Sequence, residues 1–356
     1  MKLKVLFLIP YPSDTAASQR FRFEQYLSGL NSAGINYDIS SFWDEKAWRI
    51  LYKEGAVLGK TLATIRGLLR RYALLFTAFK YDRIFIHREL YPVGPQFVEW
   101  VLAKVYRKKI IYDFDDAVWL PNFAANNAKF AFLKSYGHVV KLCKYAYRVS
   151  VGNDYLADHA KQYNSSVVVN PTTIDTDNYH NKIKDQRSEK FVIGWTGTHS
   201  TLRYLTGMLP VFKKLEEEFD FTLMIISDQD PGFKLKSLQF VKWNKDTEID
   251  DLLKFNIGLM PLSQDKWANG KCGFKALQYM SLGVPALVSP IGVNTKIVDH
   301  GLNGFICDSL EEWEQTLRDC LVDREKVVAV AKNSRKKIED YYSVKSNNDN
   351  FVNLFN

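Results

Sequence analysis

The chain has 356 residues, 46% hydrophobic and 25% charged, with a formal net charge of +8. That length suits about two domains, and the composition excludes collagen-like, low-complexity and largely disordered chains. Four cysteines, Cys143, Cys272, Cys307 and Cys320, never form a C-x-x-C pair, which argues against a disulfide framework or structural zinc site and fits a reducing compartment. No apolar run reaches the roughly 18 residues that a transmembrane helix needs.

From the N-terminus, Met1 to Pro10 reads MKLKVLFLIP, with lysines before an apolar stretch as in a signal peptide. The stretch is too short, and Pro10, Pro12 and Asp14 follow without a small-residue cleavage site, so it reads as a buried first strand at Val5 to Ile9. Further apolar runs rich in Val, Ile and Phe predict strands at Asn36 to Ser40, Arg83 to His87, Lys109 to Asp113, Arg148 to Val151 and Val167 to Asn170. In the second half they fall at Phe191 to Trp195, Phe221 to Ile226, Gln239 to Trp243, Ile257 to Met260, Pro285 to Val288 and Phe305 to Cys307. Helical-period segments alternate with these runs, the pattern of a parallel sheet covered by helices. The expected architecture is α/β, two doubly wound Rossmann-like domains facing across a cleft. The first spans 1–170 and the second 171–340, with 341–356 as a C-terminal helix returning to the first. Asn170 to Asp175 and the polar stretch Asp177 to Glu189 form the connection.

Charge divides along the same line. Residues 1–180 hold 24 Lys and Arg against 16 Asp and Glu, whereas the remainder holds 24 against 24. The first half therefore suits an anionic partner or surface. Part of it, Leu58 to Phe79, places Leu58, Leu62, Ile65, Leu69, Tyr72, Phe76 and Phe79 at helical spacing among Lys60, Arg66, Arg70, Arg71 and Lys80. Such a basic amphipathic segment, 58–80, can lie on an anionic membrane, although packing of the stripe on the sheet is the commoner arrangement. No nucleic-acid-binding module is recognisable, so nucleic acid is not an expected partner.

Ligands of doubly wound sheets bind beyond the carboxyl ends of the strands. The loop after the first strand, Tyr11 to Arg20, has no glycine, which disfavours the G-x-G-x-x-G dinucleotide site. Residues 269–289 read NGKCGFKALQYMSLGVPALVS, a glycine-rich turn leading into a helix. Lys271, Lys275 and Gln278, spaced i, i+4, i+7, are expected on one helical face near its N-terminus, where free amides and the helix dipole favour a diphosphate. A solvated helix face is the plain alternative. The cluster Asp113-Phe114-Asp115-Asp116 ends a strand. Asp113 and Asp115 as a D-x-D suit a divalent cation, while Asp115 or Asp116 equally suits a helix cap. His87 closes another strand beside Arg88.

This stretch, with Pro290-Ile291-Gly292-Val293-Asn294 and His300-Gly301-Leu302-Asn303-Gly304-Phe305, resembles the donor-nucleotide region of retaining GT-B glycosyltransferases, specifically glycosyltransferase family four. The resemblance extends to Arg20-Phe21-Arg22, to Val169-Asn170-Pro171 and to Ile193-Gly194-Trp195-Thr196-Gly197. One departure stands out: at the family's two signature glutamates, eight positions apart, this chain has Gly270 and Gln278.

The resemblance implies transfer of a hexosyl group from a UDP- or GDP-linked sugar to a hydroxyl, with retention and without a metal or other cofactor. It implies a diphosphate held by Gly197, Thr198, Arg203, Lys271 and Lys275, and a ribose held by Gln278. Asp265 and Gly273 would lie on the donor sugar. Arg20, Arg22 and His87 would form the acceptor side, with Asp115 and Asp116 acting at the reaction centre. The implied acceptor is a glycan or lipid-linked molecule of polysaccharide, lipopolysaccharide or glycolipid assembly, used by a cytoplasmic protein peripheral to the membrane. The two alternatives are a catalytically weak sugar-nucleotide-binding subunit, suggested by the missing glutamates, and a metal-dependent transferase using Asp113 and Asp115.

Overall fold

Twelve strands among the described residues form two six-stranded, wholly parallel sheets. The structure is a computed structural model and describes residues 3–356 apart from 52, 54, 93, 95, 121–136 and 188–189. Met1 and Lys2 of the opening stretch, and Ser188 and Glu189 at the end of the expected connection, lie outside the described residues. The first sheet holds β1 (Lys4–Ile9), β2 (Asn36–Ser41), β3 (Arg83–His87), β4 (Lys109–Phe114), β5 (Arg148–Val151) and β6 (Val167–Val169), in the order β2-β1-β3-β4-β5-β6. The second holds β7 (Val192–Thr196), β8 (Thr222–Ser227), β9 (Leu238–Lys242), β10 (Ile257–Met260), β11 (Ala286–Val288) and β12 (Gly304–Ile306), in the order β12-β11-β10-β7-β8-β9. Every expected strand is present, its ends displaced by at most one residue. Strands buried on both faces must be apolar throughout, and that makes them conspicuous in a sequence.

The chain divides into two compact units, Met1–Thr172 with Asn347–Asn356, and Thr173–Ser346. In the first unit Phe7 and Phe85 face each other across β1 and β3 at 4.7 Å between ring centroids. The C-terminal segment closes over them: Phe355 lies 5.9 Å from Phe7 and 6.0 Å from Phe85, and Phe351 stacks on Tyr26 at 4.5 Å. In the second unit Ile193, Trp195, Leu223, Ile257 and Leu287 pack with Phe212 and Trp313 from the covering helices. All four cysteines are free and buried. Among the described residues no helix is long and apolar enough to cross a membrane.

The basic amphipathic segment departs from the commoner arrangement. It forms a helix at Val57–Ala73 followed by short 3-10 turns at Leu74–Phe76 and Ala78–Lys80. Its buried residues are Ala63, Gly67 and Arg71, and the large apolar side chains point outward. Close approach requires the small face: a Cβ on Gly67 would lie 2.6 Å from the Phe42 ring. Arg71 fastens the helix by donating to the carbonyls of Ile9, Ser40 and Leu90 at 2.7, 3.0 and 2.8 Å.

Because Phe351 is fully buried among aromatic rings, Phe351→Ala should destabilise the first unit by about 3–5 kcal/mol. Urea unfolding followed by far-UV circular dichroism measures this; an unchanged midpoint would show that the C-terminal segment does not stabilise the sheet.

Candidate functional site

The order of the second sheet reverses between β7 and β10, and the loops leaving those strands carry most of the expected donor residues. After β7, the Gly197 amide donates to the Ile226 carbonyl at 3.1 Å, and the Thr201 hydroxyl donates to the Thr198 carbonyl at 3.0 Å. The Lys275 ammonium donates to Thr201 Oγ1 at 3.4 Å and lies over the Trp195 ring, 4.1 Å from its centroid. A Cβ on Gly197 would fall 2.7 Å from Lys275 Nζ and 2.6 Å from Trp195, so the absence of a side chain is what lets the ammonium reach the backbone.

No carboxylate among the described residues pairs with Lys275. Burial, and then the charge of Lys271, pulls its ammonium down to about 7. A lysine held without a counter-charge at the switch point of the sheet is able to pair with an anion.

Lys271 is not on the helical face expected for it. The helix starts at Phe274, because Gly273 takes a left-handed conformation (φ 70°), so Lys271 lies in the preceding turn. Gln278 is in the helix but 2% exposed, and its amide donates to Glu248 Oε1 at 3.4 Å. Glu248 also accepts from Trp243 Nε1 at 3.2 Å and from the Tyr179 hydroxyl at 3.1 Å. Sequence reasoning missed Glu248, the first of three acidic residues in a short helix at Glu248–Leu252 with no recognisable motif around it. The position where the family carries a glutamate thus has a carboxylate beside it, supplied from elsewhere in the chain.

After β10, Asp265 caps the turn Lys266–Asn269 by accepting from the Ala268 amide at 2.7 Å. Its other oxygen meets the Tyr204 hydroxyl at 3.5 Å, and Tyr204 accepts from Arg203 at 2.9 Å, so Arg203 and Asp265 share one aromatic bridge. Gly270 ends that turn and is buried, with no side chain to offer. His199 binds Asp228 through both its amide and its ring, each at 2.7 Å, which makes it a loop clamp.

In the first unit the expected acceptor residues separate into two layers. The inner layer is buried: Asp113 accepts from Arg22, whose Nη2 lies 2.5 Å away, from His87 Nδ1 at 2.9 Å and from Ser150 at 2.7 Å. Arg22 also donates to the Asn170 carbonyl. Burial works to raise the Asp113 carboxyl, but the Arg22 guanidinium and then His87 outweigh it and hold it well below the usual range. Arg22 and His87, with side chains 0% exposed, are therefore not contacts for an acceptor, as the resemblance implied; they lock the ends of β3 and β4. With both oxygens of Asp113 committed to these partners, Asp113 does not fit a D-x-D cation site with Asp115, and no group of metal-ligating side chains occurs among the described residues.

The outer layer is Arg88, Asp115 and Asp116. Arg88 donates to Asp115 at 2.7 Å and to Asp116 at 3.0 Å. Its backbone is left-handed (φ 57°), held by its amide on the Asp113 carbonyl at 2.7 Å and by the Tyr112 hydroxyl on its own carbonyl at 2.8 Å. A strained residue fixed from both sides is common at functional sites. Burial raises the Asp115 carboxyl, but Arg88 and then His87 bring it below its ordinary value. Arg20 is 8% exposed, with its guanidinium 3.8 Å from Asp14.

Two parallel doubly wound units in one chain are the architecture called GT-B. Residues 182–337 match the family described as glycosyl transferases group 1. Similar solved structures include a glycosyltransferase from Rickettsia africae, with 12% identity, 99% of this chain and 98% of that one covered, and a TM-score of 0.71. The sucrose-phosphate synthase of Thermosynechococcus elongatus has 12% identity, coverage of 99% and 98%, and a TM-score of 0.68. Anabaena HepE, solved in complex with UDP and glucose, has 16% identity, coverage of 99% and 98%, and a TM-score of 0.66. No curated protein sequence matches the chain. The chain therefore has the GT-B fold, and its residues 182–337 match the group 1 glycosyl transferase family.

Replacing Arg22 by Met leaves Asp113 charged, buried and short of its main partner, and should cost about 3–5 kcal/mol. Denaturant unfolding of Arg22→Met checks this; a loss within experimental error would mean that the cluster is not structural.

Proposed function

We propose that the chain transfers a hexosyl group from a UDP- or GDP-linked sugar to a hydroxyl of a glycan or lipid-linked acceptor, with retention of anomeric configuration, in cell-surface polysaccharide or glycolipid assembly. The observation that carries the donor assignment is the uncompensated Lys275 ammonium beside Gly197. Lys275, Lys271 and the N-terminal amides of the helix Phe274–Ser281 would face the diphosphate, with Thr198 and Arg203 at its rim. Glu248 and Gln278 together would hold the ribose hydroxyls, so the loss of the family glutamate at position 278 need not remove the carboxylate. Asp265 and Gly273 would flank the sugar.

In this reading the anomeric C–O bond to the diphosphate breaks and its electron pair goes to the leaving oxygen, where the lysines stabilise the growing charge. The acceptor oxygen forms the new bond on the same face, and its proton passes to the departing diphosphate. Because Arg88 holds Asp115 low, that carboxylate is a poor proton acceptor. Asp115 and Asp116 would orient a hydroxyl, with Arg20 beside them. The reaction as written needs no metal or other cofactor.

A bound diphosphate raises the proton affinity of Lys275, whose pKa in the free protein is lowered, so binding should take up protons most at about pH 8 and little near pH 6. Calorimetric titration with UDP and GDP in buffers of different ionisation enthalpy reads this. Lys275→Ala should abolish the uptake and weaken affinity about tenfold or more, with the melting temperature retained. Affinity unchanged by that substitution would remove Lys275 from the site. Binding of a sugar nucleotide with neither transfer nor donor hydrolysis would replace the enzyme by a binding subunit, the arrangement that the side-chain-free Gly270 favours.

A further inference from the structure

On the helix Val57–Ala73, Leu58, Leu62, Ile65 and Leu69 form one stripe, and all are exposed, from 47% at Ile65 to 74% at Leu58. Phe76 (81%) and Phe79 (69%) continue it beyond the helix. The surface is contiguous with the segment that follows β3. The Phe97 ring lies 6.2 Å from both Tyr72 and Trp100, and Tyr106 donates to the Leu75 carbonyl at 2.9 Å. Phe97, Trp100 and Val105 are exposed as well. So continuous an apolar surface is uncommon on a monomer and marks an interface.

Its charge says what the interface meets. Residues 55–81 contain Lys60, Arg66, Arg70, Arg71 and Lys80 and not one Asp or Glu. Only Arg71 is buried, while Arg66 and Arg70 share the single carboxylate of Asp44 at 3.3 and 3.5 Å. Lys104 and Arg107 add exposed cations on the neighbouring segment. The acid there, Glu99, is turned inward, 2% exposed and hydrogen-bonded by Tyr91 at 2.6 Å. A second copy of this face would bring cations against cations. An anionic bilayer offers phosphate to the cations and acyl chains to the ridge.

We infer that this face docks the first unit on an anionic lipid bilayer, with the Leu58–Phe79 ridge among the acyl chains and Arg66, Lys80, Lys104 and Arg107 at the headgroups. The Arg71 fastening places the helix by the carboxyl ends of β1 and β2, the edge where sheets of this kind bind ligands. A lipid-linked acceptor would then meet that edge without leaving the membrane surface. The docking itself needs no nucleotide, so its failure is distinguishable from failure of the donor assignment.

Co-sedimentation of the full chain with phosphatidylcholine vesicles, with and without phosphatidylglycerol, tests it. Binding to the anionic vesicles, weakened by salt and reduced about tenfold or more in Leu62→Glu/Leu69→Glu, is the expected result. Both leucines are exposed, so that variant should keep the wild-type melting temperature and UDP or GDP affinity. Absence of binding to the anionic vesicles, or equal binding by the variant, would overturn the proposal. A dimer that the variant dissociates, with no vesicle binding, would overturn it by assigning the face to a second copy.

Discussion

A parallel sheet has no short return between strands, and this one constraint organises each unit. Every connection must cross over a face, usually as a helix, so central strands such as β10 and β11 are buried on both faces and read as apolar runs, whereas the edge strands β2 and β9 keep polar, exposed positions. Polar chemistry is then confined to the loops at the strand ends. The candidate residues obey this: Gly197 and Thr198 follow β7, Asp265 follows β10, Arg88 follows β3, and Asp115 and Asp116 follow β4. The second sheet has the strand order of a dinucleotide-binding fold, yet the loop leaving its first strand offers one glycine and threonines where that fold would place a glycine-rich turn. A lysine from the helix after β10 fills the position instead.

Two nearly buried cations show how structure and function part. Arg22 is completely compensated, with Asp113, Ser150 and the Asn170 carbonyl all within reach of its guanidinium. Such a cluster fixes the strand ends and presents nothing outward. Lys275 has a hydroxyl and an aromatic ring and, among the described residues, no carboxylate. Burying a charge without a partner is costly, which is why burial lowers the proton affinity of Lys275, whereas that of Asp113 is set by its partners.

The same contrast explains what the sequence could convey. Strands were legible because burial on both faces writes itself as composition. The place of Lys275 in the first turn of a helix was legible because a glycine-rich turn precedes it. Lys271 was misplaced because the left-handed Gly273 interrupts the spacing on which the helical face was projected. Arg22 and His87 were expected on the acceptor side through the resemblance, and only the three-dimensional position of Asp113 shows that they turn inward. Glu248 carried no local signal; its meaning comes from Gln278, thirty residues further along.

The helix Val57–Ala73 marks a different limit. Periodicity reveals a stripe but not the side on which it is buried, and here the core accepts the face of Ala63, Gly67 and Arg71. Gly67 allows the backbone to approach Phe42, and Arg71 spends its donors on three backbone carbonyls, so the small polar face is better fitted to the sheet than the leucine stripe. The outward stripe therefore follows from the packing rather than from poor folding. Its concentration of cations also gives a location to charge that composition records only as a total. The excess of the first half lies partly around an apolar ridge, where lysine and arginine stems can lie along apolar surface and their heads reach phosphate.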